Sequence, residues 1–226
     1  MARGKLIVID GVDASGKSTQ AEIIEKRLTA RGEKALLISF PCYSEEWSAP
    51  VRMYLGGRFG DKPEDVGPFA ASCFYAVDRY CSFKTDWGKK LEEGVTLVSA
   101  RYTTSNAIHQ GEKFPKEEQK AYFEWLYEFE FEKLGLPRPD LVVYLDMPPE
   151  KSEELLCKRY GGDEKKKDIH EKDGGYLVRC HETANYAAKV LGWERVDCVK
   201  DGKVRSREDI ADEIMKKIDG LKEEEI

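Results

Sequence analysis

The 226-residue sequence predicts an α/β fold: a five-stranded parallel sheet with helices on both faces. Two observations lead there. Short runs such as KLIVID (5–10) and VTLVS (95–99) are continuously apolar instead of alternating, the mark of strands buried on both faces. Segments with helical spacing separate these runs, as a parallel sheet requires of its crossovers. No internal repeat and no Pro- or Ser-rich linker interrupts the pattern, so a single domain spanning 1–226 is expected.

Taken in order, KLIVID is the first strand. STQAEIIEKRLTARG (18–32) places Ala21, Ile24 and Leu28 on one helical face and offers Gly32 as its C-terminal cap. KALLISF (34–40) is a second strand, stopped by Pro41. Residues 49–93 read as mainly helical, broken by the turn GGRFGDKPED (56–65), and VTLVS is the third strand. An aromatic-rich helix is expected over 116–135. DLVVYLD (140–146), announced by LPRP, is the fourth strand. PEKSEELLCKRY (149–160) is helical, and the glycine-flanked polar stretch that follows is expected to be a mobile lid over about 159–173. A helix over 176–193, a fifth strand ERVDCV (194–199) and a closing helix over 206–221 complete the chain, with KEEEI as a solvated tail.

Composition narrows the function. A net charge of −6 argues against a general nucleic-acid binder, whose affinity comes from surplus Lys and Arg. The opening apolar run is too short for a signal sequence, and no stretch approaches the roughly 18 apolar residues of a membrane span. Six scattered cysteines without a C-x-x-C pair, and only three histidines, disfavour a zinc site and fit reduced thiols in the cytoplasm.

GVDASGKS (11–18) matches G-x-x-x-x-G-K-[ST], with a strand before it and a helix after it, as a P-loop requires. Such a loop turns backbone N–H groups inward around phosphate oxygens at a helix N-terminus. Gly11, Ala14, Ser15, Gly16, Lys17, Ser18 and Thr19 are the expected ATP-binding residues; Lys17 would reach the β- and γ-phosphates and Ser18 would ligate Mg²⁺. A guanine-type N-K-x-D motif is absent, and GVDASG lacks the middle glycine of a dinucleotide fingerprint. Asp13, the FP after strand two, DRY (78–80) and RYTTSN (101–106) suit phosphoryl transfer from ATP to a second small phosphate-bearing substrate.

Through GVDASGKSTQ, SFP, YLGGRFG, FYAVDRY, RYTTSNAIHQG, LPRPDLVVYLDMPPE and KKDIHEKD, nearly the whole chain resembles the thymidylate kinase family, P-loop kinases that phosphorylate dTMP with ATP. The resemblance implies a homodimer and roles for individual residues. Asp13 would bond the deoxyribose 3′-hydroxyl, and Phe40 and Pro41 would wall the base pocket. Tyr75 would stack on thymine. Arg79 and Arg101 would surround the base and monophosphate, Arg101 by a bidentate pairing. Ser105 and Asn106 would read the base edge. His109 stands where the family often has Tyr or Phe, placed to exclude a ribose 2′-hydroxyl. Plainer roles exist for four of these: Tyr75 as core, Asn106 as a helix cap, His109 as a satisfied histidine, and Arg79 as the partner of a distant carboxylate.

The sequence also departs from the family. Ala100 replaces the usual aspartate before Arg101, which is expected to weaken turnover more than binding. Ala14 stands where some members carry a P-loop arginine, so a transition-state cation is expected from the lid, through Arg159 and Lys167, with Lys165 and Lys166 beside them. Tyr43 stands where some relatives have an arginine for the acceptor phosphate. Two other functions therefore stay open: a kinase for a different nucleoside monophosphate, and a nucleotide-binding protein with little or no transfer.

Overall fold

The structure, a computed structural model, describes residues 3–60, 62, 65–160 and 175–221. Strands β1 (Leu6–Gly11), β2 (Ala35–Ser39), β3 (Thr96–Ala100), β4 (Leu141–Asp146) and β5 (Glu194–Asp197) form an all-parallel sheet in the order β2-β3-β1-β4-β5. β1 lies at the centre with all six residues buried, which is why its sequence does not alternate. Its side chains point alternately into two cores. Leu6 and Val8 join Leu97, Trp87 and Phe40 on one face; Ile7 and Ile9 join Ile24, Val143 and Ile214 on the other.

Helices α1 (Lys17–Ala30), α2 (Ala49–Leu55), α3 (Pro68–Ser82), α4 (Gly88–Glu92), α5 (Thr103–His109), α6 (Lys116–Tyr127), α7 (Pro149–Tyr160), α8 (Tyr176–Leu191) and α9 (Arg207–Asp219) cover both faces. The Cα register pairs Ile9 with Ala100 and Gly11 with Leu145, so three strands end at one edge. Strand order reverses there, with β3 and β4 on opposite sides of β1, and such a crevice is where open α/β sheets bind ligands. Among the described residues, no helix is long and apolar enough to cross a membrane.

Three local features differ from the sequence expectation. The single helix expected over 116–135 is α6 followed by a π-turn, Glu128–Lys133. Within that turn Glu130 is fully buried, pairing with both nitrogens of one edge of the Arg79 guanidinium and accepting from Thr103 Oγ1 at 2.7 Å. The helical stretch before β3 likewise contains a π-turn, Phe83–Trp87, between α3 and α4. The fifth strand stops at Asp197, because Val199–Lys200 (β6) and Lys203–Val204 (β7) form a small antiparallel hairpin. Asp201 and Gly202, at φ 51° and 73°, supply the two left-handed residues such a tight turn needs. The C-cap of α1 is Arg31, and Gly32 follows it in the left-handed conformation, at φ 84°.

Removing one partner of a buried ion pair strands the other charge in a low-dielectric interior. Glu130→Ala is therefore expected to lower the urea-unfolding free energy by about 3–5 kcal/mol. Ser206→Ala should cost only about 1 kcal/mol, since it removes the exposed α9 cap that accepts from the Asp209 N–H at 3.0 Å. Equal losses in the two variants would contradict a buried pair.

Candidate active site

The loop between β1 and α1 is shaped by close approach. A Cβ at Gly11 would meet the Leu145 carbonyl at 2.6 Å and Ser15 Oγ at 2.8 Å, so only glycine fits. Ala14 takes φ 58° and Gly16, the residue capping α1, takes φ 93°. Ala14, Gly16, Lys17, Ser18 and Thr19 line a cavity of about 300 Å³; Gly11 and Ser15 lie buried beneath them. Lys17 Nζ donates to the Gly11 and Val12 carbonyls at 2.9 and 2.8 Å and stands 3.9 Å from Asp13. Ser18 is exposed at the helix N-terminus, where the first N–H groups of α1 favour an anion.

Asp10, the last side chain of β1 before the loop, has no solvent exposure. Its Oδ1 accepts from the Gly11 N–H at 2.8 Å, and its Oδ2 accepts from Thr104 Oγ1 at 2.5 Å and Ser105 Oγ at 2.7 Å. The carboxylate thus ties the start of the phosphate loop to the first turns of α5.

Arg101 leaves β3 at φ 72°, a left-handed conformation that strains any side-chain-bearing residue. Its N–H bonds the Ile9 carbonyl at 3.2 Å and its carbonyl accepts from Ser99 Oγ at 2.6 Å, which holds the turn. The guanidinium pairs with Asp13, donates to Ser105 Oγ at 3.3 Å and meets His109 Nε2 at 3.0 Å. Burial alone would raise the Asp13 carboxyl, but the Arg101 charge, with Lys17 behind it, outweighs it and holds the group well below its ordinary 3.8. Burial would conversely lower Arg101, and the carboxylates of Asp13 and Asp10 raise it instead.

A second cavity of about 200 Å³ adjoins the first. All nine residues expected around a nucleoside monophosphate line it: Asp13, Phe40, Pro41, Tyr75, Arg79, Arg101, Ser105, Asn106 and His109. Their present bonds refine several of the expected roles. Arg79 is held by Glu130, as its plainer reading had it, and donates from Nη1 to the Tyr102 carbonyl at 3.4 Å. Ser105 gives its hydroxyl proton to Asp10 and accepts from Arg101, so it links the two before it reads any base. Asn106 is not a cap: the N-cap of α5 is Tyr102, and Asn106 Nδ2 donates to the Ser72 carbonyl at 3.3 Å. Tyr75 meets Tyr54 edge-on, with ring centroids 6.4 Å apart, and keeps a face on the cavity. Tyr43, 54% exposed, lines both cavities.

The backbone of Arg159 lies in the last turn of α7; its side chain, like Lys165, Lys166, Lys167 and most of the expected lid, lies outside the described residues. Sequence reasoning missed Asp10, Thr104 and Tyr176. A carboxylate closing an apolar strand was the available signal for Asp10. It also missed Asp146 at the tip of β4, which pairs with Arg195 and lies 2.6 Å from His181 Nε2.

A carboxyl held below its unfolded value stabilises the fold above that value, and the gain is lost as pH falls through the depressed one. Asp13→Asn should accordingly cost about 2 kcal/mol near neutrality, the scale of a charged hydrogen bond. The gap between variant and parent should close as pH drops well below 3.8. Urea midpoints across pH would show this; a gap unchanged at pH 3 would mean Asp13 is not held by charge.

The sequence profile of the thymidylate kinase family matches residues 9–197. The human thymidylate kinase is 34% identical over 145 residues, 64% of this chain and 62% of the human one, so the match spans less than two thirds of that relative. The thymidylate kinase of Mycobacterium tuberculosis is 31% identical over 146 residues, 64% of this chain and 67% of the relative. The solved thymidylate kinase of Candida albicans superposes with a TM-score of 0.72 at 22% identity, over 97% of this chain and 93% of its own, which shows the shared fold. With a phosphate loop, an arginine-centred second cavity and a profile match covering most of its length, the chain belongs to the thymidylate kinase family.

Proposed function

We propose that this protein transfers the γ-phosphoryl group of ATP to dTMP, giving ADP and dTDP. One observation carries the reading: the phosphate cradle and the nucleotide cavity share a wall made of Asp13, Phe40, Pro41, Tyr43 and Arg101. Two phosphates bound on either side of Arg101 would face each other across one cation.

In this reading the loop amides and α1 bind the donor phosphates, and Lys17 leaves the Gly11 and Val12 carbonyls for them. Arg101 holds the acceptor phosphate, Asp13 the 3′-hydroxyl, and Tyr75 stacks on thymine under the wall of Phe40 and Pro41. A phosphate oxygen attacks in line; being already anionic, it needs no general base. The exposed Ser18 hydroxyl suits Mg²⁺, and among the described residues no cluster of three or more His, Cys, Asp or Glu offers a protein cage. Ser18 would hold the metal, which would supply positive charge to neutralise the donor phosphates. Arg159 and Lys167 are the proposed lid cations.

The same reading makes the whole chain one kinase domain acting in the cytoplasm, where its six unpaired cysteines suit a reducing compartment. Phe69 and Val77, both nearly half exposed on α3, support a homodimer through that face. One observation favours a second reading, nucleotide binding without transfer: Ala100 is buried against the cradle and puts no carboxylate there.

ADP release from Mg·ATP with each common nucleoside monophosphate separates these. dTMP should stimulate turnover, Lys17→Ala should abolish it, and Ala100→Asp should raise kcat by about 10²-fold, the scale of one electrostatic contact in a transition state. Binding of both nucleotides with no ADP formed by the parent would favour the second reading. Stimulation by another monophosphate alone would displace dTMP.

A further inference from the structure

Both ring nitrogens of His109 are engaged. Nε2 lies 3.0 Å from Arg101 Nη1, and Nδ1 lies 2.7 Å from the Tyr176 hydroxyl. A guanidinium can only donate hydrogen bonds. Nε2 must therefore be the acceptor, which puts the ring proton on Nδ1 and directs it to Tyr176 Oη. The two rings are nearly parallel, 25° apart with centroids 5.9 Å from each other. Tyr176, 3% exposed, is the first residue of α8. Burial, helped by the neighbouring Cys180 and Asp13, pushes its hydroxyl well above the ordinary range, so it stays protonated and neutral.

The imidazole is faced by Arg101 from the end of β3, Asp13 from the phosphate loop, Tyr176 and Cys180 from α8, and Ser105 from its own helix. Among the described residues, Arg101 Nη1 has two acceptors, Ser105 Oγ at 3.3 Å and His109 Nε2 at 3.0 Å, and the nitrogen is the shorter contact. A phenyl ring at 109 could fill the same space but offers no lone pair.

We infer that His109 is a positioning residue for Arg101: Tyr176 holds it as the Nδ1–H tautomer, and its Nε2 lone pair orients the guanidinium that separates the two cavities. α8 is thereby coupled to the anion-binding arginine. The inference rests on the reading of Arg101 as the acceptor-phosphate residue, and its test keeps the two apart.

The test uses the full chain with His109→Phe, His109→Gln, Tyr176→Phe and the His109→Phe/Tyr176→Phe pair, each checked for folding by thermal melting. His109→Phe should raise the KM for dTMP about tenfold, the size of a lost charged hydrogen bond, and leave the KM for ATP unchanged. His109→Gln, whose amide oxygen can accept from Arg101, should recover most of that loss. Tyr176→Phe should raise the KM for dTMP about threefold alone, a neutral hydrogen bond's worth, and add nothing in the His109→Phe background. A Tyr176→Phe effect of the same size in both backgrounds would overturn the coupling, as would an unchanged KM in His109→Phe.

A second readout needs no turnover. Nitrogen-15 spectra of the ligand-free protein should show the His109 ring protonated at Nδ1 and bare at Nε2; the opposite tautomer overturns the inference. If the spectra agree but no monophosphate stimulates turnover, the transfer reading fails while the imidazole–guanidinium geometry stands.

Discussion

A carboxylate with no access to water must find every partner inside the protein. Asp10 meets that demand at the tip of the central strand, where its two oxygens take one backbone N–H and two hydroxyls. The partners come from the residue opening the phosphate loop and from the first turns of α5, segments more than ninety positions apart in the chain. Because Ser105 spends its proton on Asp10, its lone pairs are left for Arg101, and Arg101 in turn reaches Asp13. The bonds Asp10–Ser105–Arg101–Asp13 close a ring from β1 through α5 and the end of β3 back to the loop that β1 feeds. Both cavities open off this ring.

Apart from Asp201 in the β6–β7 turn, the described non-glycine residues at positive φ lie beside this ring. Ala14 and Arg101 both take positive φ, and both line the cradle. Such conformations cost of order 1–3 kcal/mol each for a residue with a side chain. At Arg101 the strain persists because bonded neighbours over-determine it: Ile9 and Ser99 through its backbone and Asp13 through its guanidinium. Strain at Arg101 turns its side chain back over the loop.

Much of this was legible in the sequence, for identifiable reasons. Strand positions follow from apolar runs, because a central parallel strand has no polar face. The cradle follows from a motif whose residues are neighbours in the chain. The nine residues that the resemblance assigns to a nucleotide line one cavity. What stayed hidden are long-range polar pairings. Arg79 with Glu130, His109 with Tyr176 and Asp10 with Thr104 each join segments 51 to 94 positions apart. Their geometry depends on helix register, which periodicity does not set to within a residue. The π-turn that buries Glu130 belongs to this class, since nothing local distinguishes EFEFEK from an ordinary helical end. The β6–β7 hairpin does not: its Asp-Gly pair was a local turn signal, obscured by reading 194–199 as one strand.

Formal charge connects the ring to the proposed chemistry. Among the described residues, two carboxylates, Asp10 and Asp13, stand around the shared wall against two cations, Arg101 and Lys17, and these four charges cancel. Lys17 is turned onto loop carbonyls and Arg101 onto Asp13, and each must redirect part of its bonding to a phosphate. Polyphosphate charge then exceeds what these two groups neutralise, which is the physical case for a metal at Ser18 and for further cations from another segment. Ala100 bears on this balance. A carboxylate at that position would add negative charge beside the donor phosphates, a cost in binding that is repaid only if it orders the metal and the arginine during transfer. With alanine there, nucleotide affinity is spared that repulsion and the loss falls on the transition state. A methyl group in this place should therefore show itself in kcat before it shows in KM.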